Sequence, residues 1–400
     1  MKNIQTHLKI GSPVRVGNRI YFCNITFNGV FYLDIHDFTI HFVHKFSFEP
    51  VNAERLSKNA SIEYHNAIYF FPNYTNVILK YDILKGQEKA IAIPYFRDKC
   101  INISGIAKRQ DLVYIFPSEL GKGIYIFDLK KEQVIKDEGL SGLFQSGFPC
   151  SSGHIIYDNK DCVWIGKHTG NELVKVNLIT KQIVDNKKLE GMHVFVLAFD
   201  GSHYWILSME STDIYEWDME NDFLQKYTNE HVEWRREDYI GHCPYSNLIF
   251  LEDEILVLNC YTEKILKINK EKKTIGEPID FPEGFRLVNT KFMDWPVYAL
   301  YTMLEDKVLL YPYAGNMLLI YDKAAKKMTG KDLLVTEETA SYLGNVLEEK
   351  LKAAEEWCED NDFEKLEYFT DMVKENGRGK KKGIREEIGK IILKNLGVGS

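Results

Sequence analysis

One unit recurs seven times along this chain, and that repetition limits the fold more than any other feature of the sequence. The unit is an apolar-aromatic strand, a short polar loop, and a second strand closing on an apolar or aromatic residue followed by Asp or Asn. Arg19-Ile20-Tyr21-Phe22 leads to Val30-Phe31-Tyr32-Leu33-Asp34, and Ala67-Ile68-Tyr69-Phe70 leads to Val77 through Asp82. Leu112-Val113-Tyr114-Ile115 leads to Asp128, Cys162-Val163-Trp164-Ile165 to Asn177, and His203-Tyr204-Trp205-Ile206 to Asp218. Glu254-Ile255-Leu256-Val257 and Lys307-Val308-Leu309-Leu310 lead to Asn269 and Asp322. Successive closing residues, from Asp34 to Asp322, are 48, 46, 49, 41, 51 and 53 positions apart.

Each closing Asp or Asn precedes a turn and a polar fourth segment, such as Glu88–Ile93 or Lys181–Val184. A short side-chain acceptor there can bond the turn backbone two residues on and so close a hairpin. A further short strand precedes each pair, ending in charged or glycine-containing turns such as Asp158–Asp161 and Asp200-Gly201-Ser202. Four strands per unit of this length is the arithmetic of a propeller blade. The expected fold is all-β, a seven-bladed β-propeller over residues 1–335 with four-stranded blades, followed by a C-terminal α-helical extension over 336–400. A composition with 13% aromatic and 45% hydrophobic residues suits such strands and fills a core. How the ring closes stays open: Asn3–Ile10 adds the outer strand of blade seven, or blade one is complete by itself.

Beyond about residue 335 the periodicity becomes helical. Thr336 is a candidate N-cap with Glu337 and Glu338 in the first turn. Val346, Leu347, Leu351, Ala354 and Trp357 follow on one face, and Phe363, Leu366, Phe369 and Val373 form a second stripe. Asn376–Gly383 is a basic linker, and Ile384, Ile388, Ile391, Ile392 and Leu396 share one face of a last helix. The linker and last helix read either as a partner-binding element or as a solvated segment and a helix folded onto the propeller.

Ile68-Tyr69-Phe70-Phe71, with Tyr81-Asp82 ten residues on, resembles a kelch blade. The kelch glycine pair is replaced by Pro72, Pro117 and Pro312. The fourth unit, Asp158 to Asn177, resembles the repeats of NHL and streptogramin-lyase-like propellers. The chain also resembles bacterial propeller proteins with a small helical tail, which implies an accessory place in a surface-glycan or peptide-modification pathway. Such likeness is specific for architecture and nearly silent on activity. Streptogramin-type lyases place histidines and a carboxylate around a metal. His193, His242 and Glu54 are residues of those types here, but they do not align with that family's motif blade by blade, so no role is carried over.

Ligand residues of a propeller come from once-per-blade positions, chiefly on the connectors from one blade's last strand to the next blade's first. Here these are long and non-repetitive, and carry Arg97, Trp234, Arg235, Arg236, Tyr239 and Arg286. Aromatic faces with guanidinium forks suit an anionic or sugar-like ligand. Two readings follow. The first is a non-catalytic binding module for a glycan, peptide or partner protein at the loop-bearing mouth of the channel, with no cofactor. The alternative is a lyase, hydrolase or isomerase using His193, His242 and Glu54, which admits a divalent metal. HExxH, GxSxG, P-loop and EF-hand patterns are absent. A net charge of −8 argues against a nucleic-acid partner recruited by bulk charge. No apolar run reaches the length of a membrane helix. With no apolar leader at the start and seven scattered cysteines, the expected compartment is the cytoplasm. Oligomeric state is not encoded in any feature of the sequence.

Overall fold

The structure is a computed structural model. It describes residues 4–5, 10–24, 29–47, 60–71, 73–94, 101–118, 120–144, 155–158, 160–166, 171–209, 211–231, 244–260, 264–286, 298–313 and 315–346. Seven antiparallel sheets follow one another along the chain, and the fold is a seven-bladed β-propeller. From the channel outward, blade one is Ile10–Val16, Arg19–Asn24, Gly29–Asp34 and Thr39–Lys45. Blade two is Ala60–Tyr64, Ala67–Phe71, Val77–Asp82 and Gln87–Ala92, and blade three runs from Ile101–Arg109 to Gln133–Asp137. Blades four, five, six and seven begin at Ile155–Tyr157, Val194–Phe199, Tyr245–Phe250 and Tyr298–Met303. Their outermost strands are Gln182–Lys188, Phe223–Tyr227, Thr274–Asp280 and Lys327–Asp332.

Each apolar cluster lies between two neighbouring blades. Trp164 and Leu173 of blade four, for instance, pack on Tyr204, Ile206 and Trp217 of blade five, with the two indoles T-shaped at 5.2 Å. Second strands are therefore buried on both faces, as in Ala67–Phe71 and Glu254–Asn259. This is why they read as continuous apolar runs rather than as alternation. Outer strands such as Gln182–Lys188 are exposed almost throughout, which explains their polar sequences.

The hairpin between third and fourth strands is the same in every blade. The turns are residues 35–38, 83–86, 129–132, 178–181, 219–222, 270–273 and 323–326, four residues each. The closing Asp or Asn accepts backbone N–H groups two and three residues on, as Asp128 does from Lys130 and Lys131 at 2.9 and 3.0 Å. Asp82, Asn177, Asp218 and Asp322 repeat the pair, while Asp34 and Asn269 each take one such bond. The last turn residue is left-handed in all seven: Phe38, Gly86, Glu132, Lys181, Asp222, Lys273 and Lys326, with φ between 49° and 63°.

Only Gly86 adopts that backbone at no cost; an L side chain there costs about 1 kcal/mol. Five of the other six are charged, and each reaches the preceding blade. Glu132 holds Lys80 at 2.5 Å and also Lys89. Lys181 meets Asp137 at 2.9 Å, Lys273 meets Glu216 at 3.4 Å, and Asp222 and Lys326 pair with Lys187 and Asp253. Phe38 instead packs in the apolar cluster shared with blade seven. At blade two, where glycine has nothing to extend, Glu88 takes over. It contacts His44 Nε2 at 3.2 Å and accepts the Ser47 amide at 2.8 Å. The seam from blade seven to blade one is bridged by Arg15 to Glu305 at 3.1 and 3.3 Å.

Blade one has four strands of its own, and a strand from beyond blade seven is added to the outer edge of its sheet. The ring is thus strapped from outside. Leu334–Val335 runs parallel to the outer strand of blade one, and Ile4–Gln5 pairs antiparallel on top of it. Residues 337–346 are helical. Thr336 is the N-cap, its hydroxyl accepting the Thr339 amide at 3.2 Å. Thr339, fully buried, accepts the Phe42 amide at 2.8 Å, and Tyr342 stacks on Phe42 with centroids 3.7 Å apart. Among the described residues no helix is long and apolar enough to cross a membrane. The basic linker and the later helical stripes lie outside the described residues.

Candidate binding mouth

Antiparallel meandering places all the blade-to-blade connectors at one end of the ring, together with the loops between second and third strands. The tight turns all lie at the other end. Strand limits leave the connectors 46–59, 93–100, 138–154, 189–193, 228–244 and 281–297, which differ widely in length. Of the residues singled out by sequence, His193 and Arg286 fall on described parts of this end. Glu54, Arg97, Trp234, Arg235, Arg236, Tyr239 and His242 lie outside the described residues.

Arg286 is exposed, and its backbone is fixed. Asn316, 5% exposed, accepts the Arg286 amide at 2.9 Å and donates to the Gly284 carbonyl at 3.0 Å, while its own amide donates to the Arg286 carbonyl at 3.2 Å. Beneath it Phe281, Phe285 and the buried Tyr298 pack edge to face. Gly315 lets the two loops approach, since a Cβ there would sit 2.8 Å from the Tyr298 hydroxyl. Arg286 thus stands on a fixed backbone near the start of the connector from blade six to blade seven. His193, half-buried, accepts the Met209 amide on its carbonyl at 2.9 Å, which ties the blade-five connector to the next loop. Blades five and six separate His193 from Arg286 around the ring.

Buried asparagines are what the sequence reading missed at this end. Asn229 donates to the Tyr245 hydroxyl at 2.7 Å and accepts the His231 amide at 2.8 Å. Asn259 donates to the Lys264 carbonyl at 2.7 Å. A buried side-chain amide must find partners for its donors and acceptors, so each of these fixes a loop. Asparagine next to a strand end is the only signal they leave in the sequence, and turns share it.

Titratable clusters sit in the seams instead. Glu216, 6% exposed, accepts from Tyr227 at 2.5 Å and lies 3.4 Å from both Lys273 Nζ and His203 Nδ1. Burial, reinforced by the bond to Glu216, pushes the Tyr227 hydroxyl well above its usual range, so it stays a donor. Ser202 Oγ is 3.0 Å from the same His203 Nδ1 and donates to Asp200 at 2.8 Å. A hydroxyl–imidazole–carboxylate relay needs its two partners on opposite ring nitrogens; here both crowd one. Burial by itself would raise the Asp200 carboxyl, but hydrogen bonds from the His203 amide, Trp205 and Ser202 outweigh it and hold the group below the ordinary range. Such a group fixes a turn. Among the described residues no three of His, Cys, Asp and Glu converge as metal ligands.

No protein-family model matches the chain, and no curated protein sequence does. Solved structures do resemble it. A streptogramin B lyase aligns over 82% of this chain and 97% of its own with a TM-score of 0.55 at 13% identity. A computationally designed protein, Ika8, aligns over 82% and 88% with a TM-score of 0.52 at 12% identity. The extracellular domain of a putative hybrid two-component system from B. thetaiotaomicron aligns over 79% of this chain and 40% of its own, with a TM-score of 0.55 at 10% identity. The likeness is one of fold. An enzyme, an extracellular domain and a designed chain share it, so it selects no chemistry.

Proposed function

We propose that the protein is a non-catalytic binding module or accessory factor that recognises a glycan, a peptide or a partner protein at the loop-bearing mouth of its channel. Its setting in this reading is the cytoplasm of a bacterium, in a surface-glycan or peptide-modification pathway. The observation that carries the reading is a division of labour between the two ends. Described carboxylates, lysines and histidines in the seams are engaged with one another and hold blades together. At the mouth an exposed guanidinium, Arg286, stands on a backbone clamped by Asn316. A cation whose backbone is already clamped suits recognition, because little backbone freedom must be lost there on binding. Arg97, Arg235, Arg236, Trp234 and Tyr239 complete the proposed surface as further guanidinium and aromatic contacts.

Binding of the full chain to immobilised glycans and peptides tests this. Arg286→Ala should weaken the interaction about tenfold, as loss of a charge-assisted contact does, and the ligand should be recovered chemically intact. Conversion of the ligand, abolished by His193→Ala, would transfer the protein to the enzyme reading.

A further inference from the structure

Between the outer strands of blades five and six the surface opens into a groove of 260 Å³ lined by residues 226–228, 230–231 and 273–275. The sequence reading assigned nothing to these residues; one wall is the start of the connector from blade five to blade six, and the other is the start of the outer strand of blade six. Its polar lining is rich in donors: the Lys226 and Lys273 ammonium groups, the Thr228 and Thr274 hydroxyls and the His231 ring, with Glu230 as the one carboxylate among the described lining residues.

Two features make it a prepared site rather than a surface irregularity. Asp213, at 2.7 Å, and Glu216, at 3.4 Å, hold the two ammonium groups from less exposed positions. The lysines themselves are 52% and 55% exposed, and each ammonium has three N–H groups, so donors remain for a ligand. The connector wall is fixed as well. The His231 amide donates to Asn229, which donates in turn to the fully buried Tyr245 of blade six, and Tyr245 donates to the Thr212 carbonyl at 2.7 Å.

A carboxylate ligand offers two oxygens to such a set; a phosphate monoester offers three terminal oxygens and nearly twice the charge. We infer that this groove binds the phosphate group of a small phosphorylated, hydroxyl-bearing molecule, with Glu230 accepting from one of its hydroxyls. Lys226 and Lys273 supply the N–H donors that their pairs with Asp213 and Glu216 leave over, and the threonines supply short donors.

Isothermal titration of the full chain with inorganic phosphate, glycerol phosphate and acetate reads this directly. Both phosphates should bind saturably at about millimolar concentration or tighter, glycerol phosphate better than phosphate, and acetate not at all. Lys226→Met and Thr274→Val should each weaken both phosphates by about fivefold, and Glu230→Gln should remove the preference for glycerol phosphate. Arg286→Ala, at the mouth, should change none of these constants. Thr274→Val keeps the seam pair intact and serves if Lys226→Met loses its thermal transition. Absence of saturable phosphate binding, acetate binding as tight as phosphate, or indifference to Thr274→Val would each overturn the proposal.

Discussion

The two ends of the ring solve opposite problems. At the turn end seven hairpins share one length, one Asp or Asn acceptor and one left-handed residue. At the connector end the segments run from 5 to 17 residues, and single buried asparagines do what the repeated acceptor does opposite. The contrast shows where repetition was retained. A seam must be closed once per blade, so its device recurs; a ligand is met once per molecule, so its contacts need not. The five charged left-handed residues sharpen this. Glycine would fit those turns with less strain, yet a side chain is kept because it reaches the preceding blade.

The largest effect should come from the best-connected seam. Burial alone would raise the Glu132 carboxyl, but hydrogen bonds from Lys80, Lys89 and Tyr69 hold it down to about 2 against an ordinary 4.5. Glu132→Ala strands the partly buried Lys80 ammonium and frees the exposed Lys89, and should cost about 2 kcal/mol in urea unfolding at neutral pH. Because the folded value is depressed, this stabilisation is complete above pH 4.5 and fades as pH falls through about 2. Glu132→Gln should therefore flatten the acid limb of stability against pH; an unchanged limb would place the seam's strength elsewhere.

Removing a hairpin acceptor should matter less. Asp128→Ala leaves the Lys130 and Lys131 amides without their bond, at a cost of about 1–2 kcal/mol by the same measurement. A smaller and more discriminating effect concerns the left-handed position itself. Lys326→Ala and Lys326→Gly both lose the pair to Asp253, so their difference isolates the backbone. Glycine should be more stable by about 1 kcal/mol, and equal stability would contradict the strained turn. The smallest effect should be at the other end. Arg286→Ala should move the unfolding midpoint by less than about 0.5 kcal/mol while altering binding.

The repeat made the architecture legible, because packing between blades buries nearly all of each second strand and most of each third, and leaves a run of Ile, Val, Tyr and Phe that no loop would carry. The closing Asp and Asn were legible for the same reason, recurring as they do with a fixed mechanical task. The clasps were not, since Glu132, Lys181, Asp222, Lys273 and Lys326 share a conformation and not a residue type or even a sign. The strap escaped too. Ile4–Gln5 and Leu334–Val335 are two residues each and have no period to detect. Sequence topology placed His193 and Arg286 at the connector end, but whether residues of different connectors converge depends on rotation about the ring axis, which spacing along the chain does not record.

Parallel binding of the wild-type chain, Arg286→Ala and Glu132→Gln to glycan and peptide arrays, with mass spectrometry of the recovered ligand, tests the separation of the two ends most directly. The account expects a ligand recovered unaltered, its binding lost with Arg286→Ala and kept with Glu132→Gln below the latter's unfolding temperature. Binding that survives Arg286→Ala but fails with the folded Glu132→Gln variant would place recognition at the turn end and contradict it.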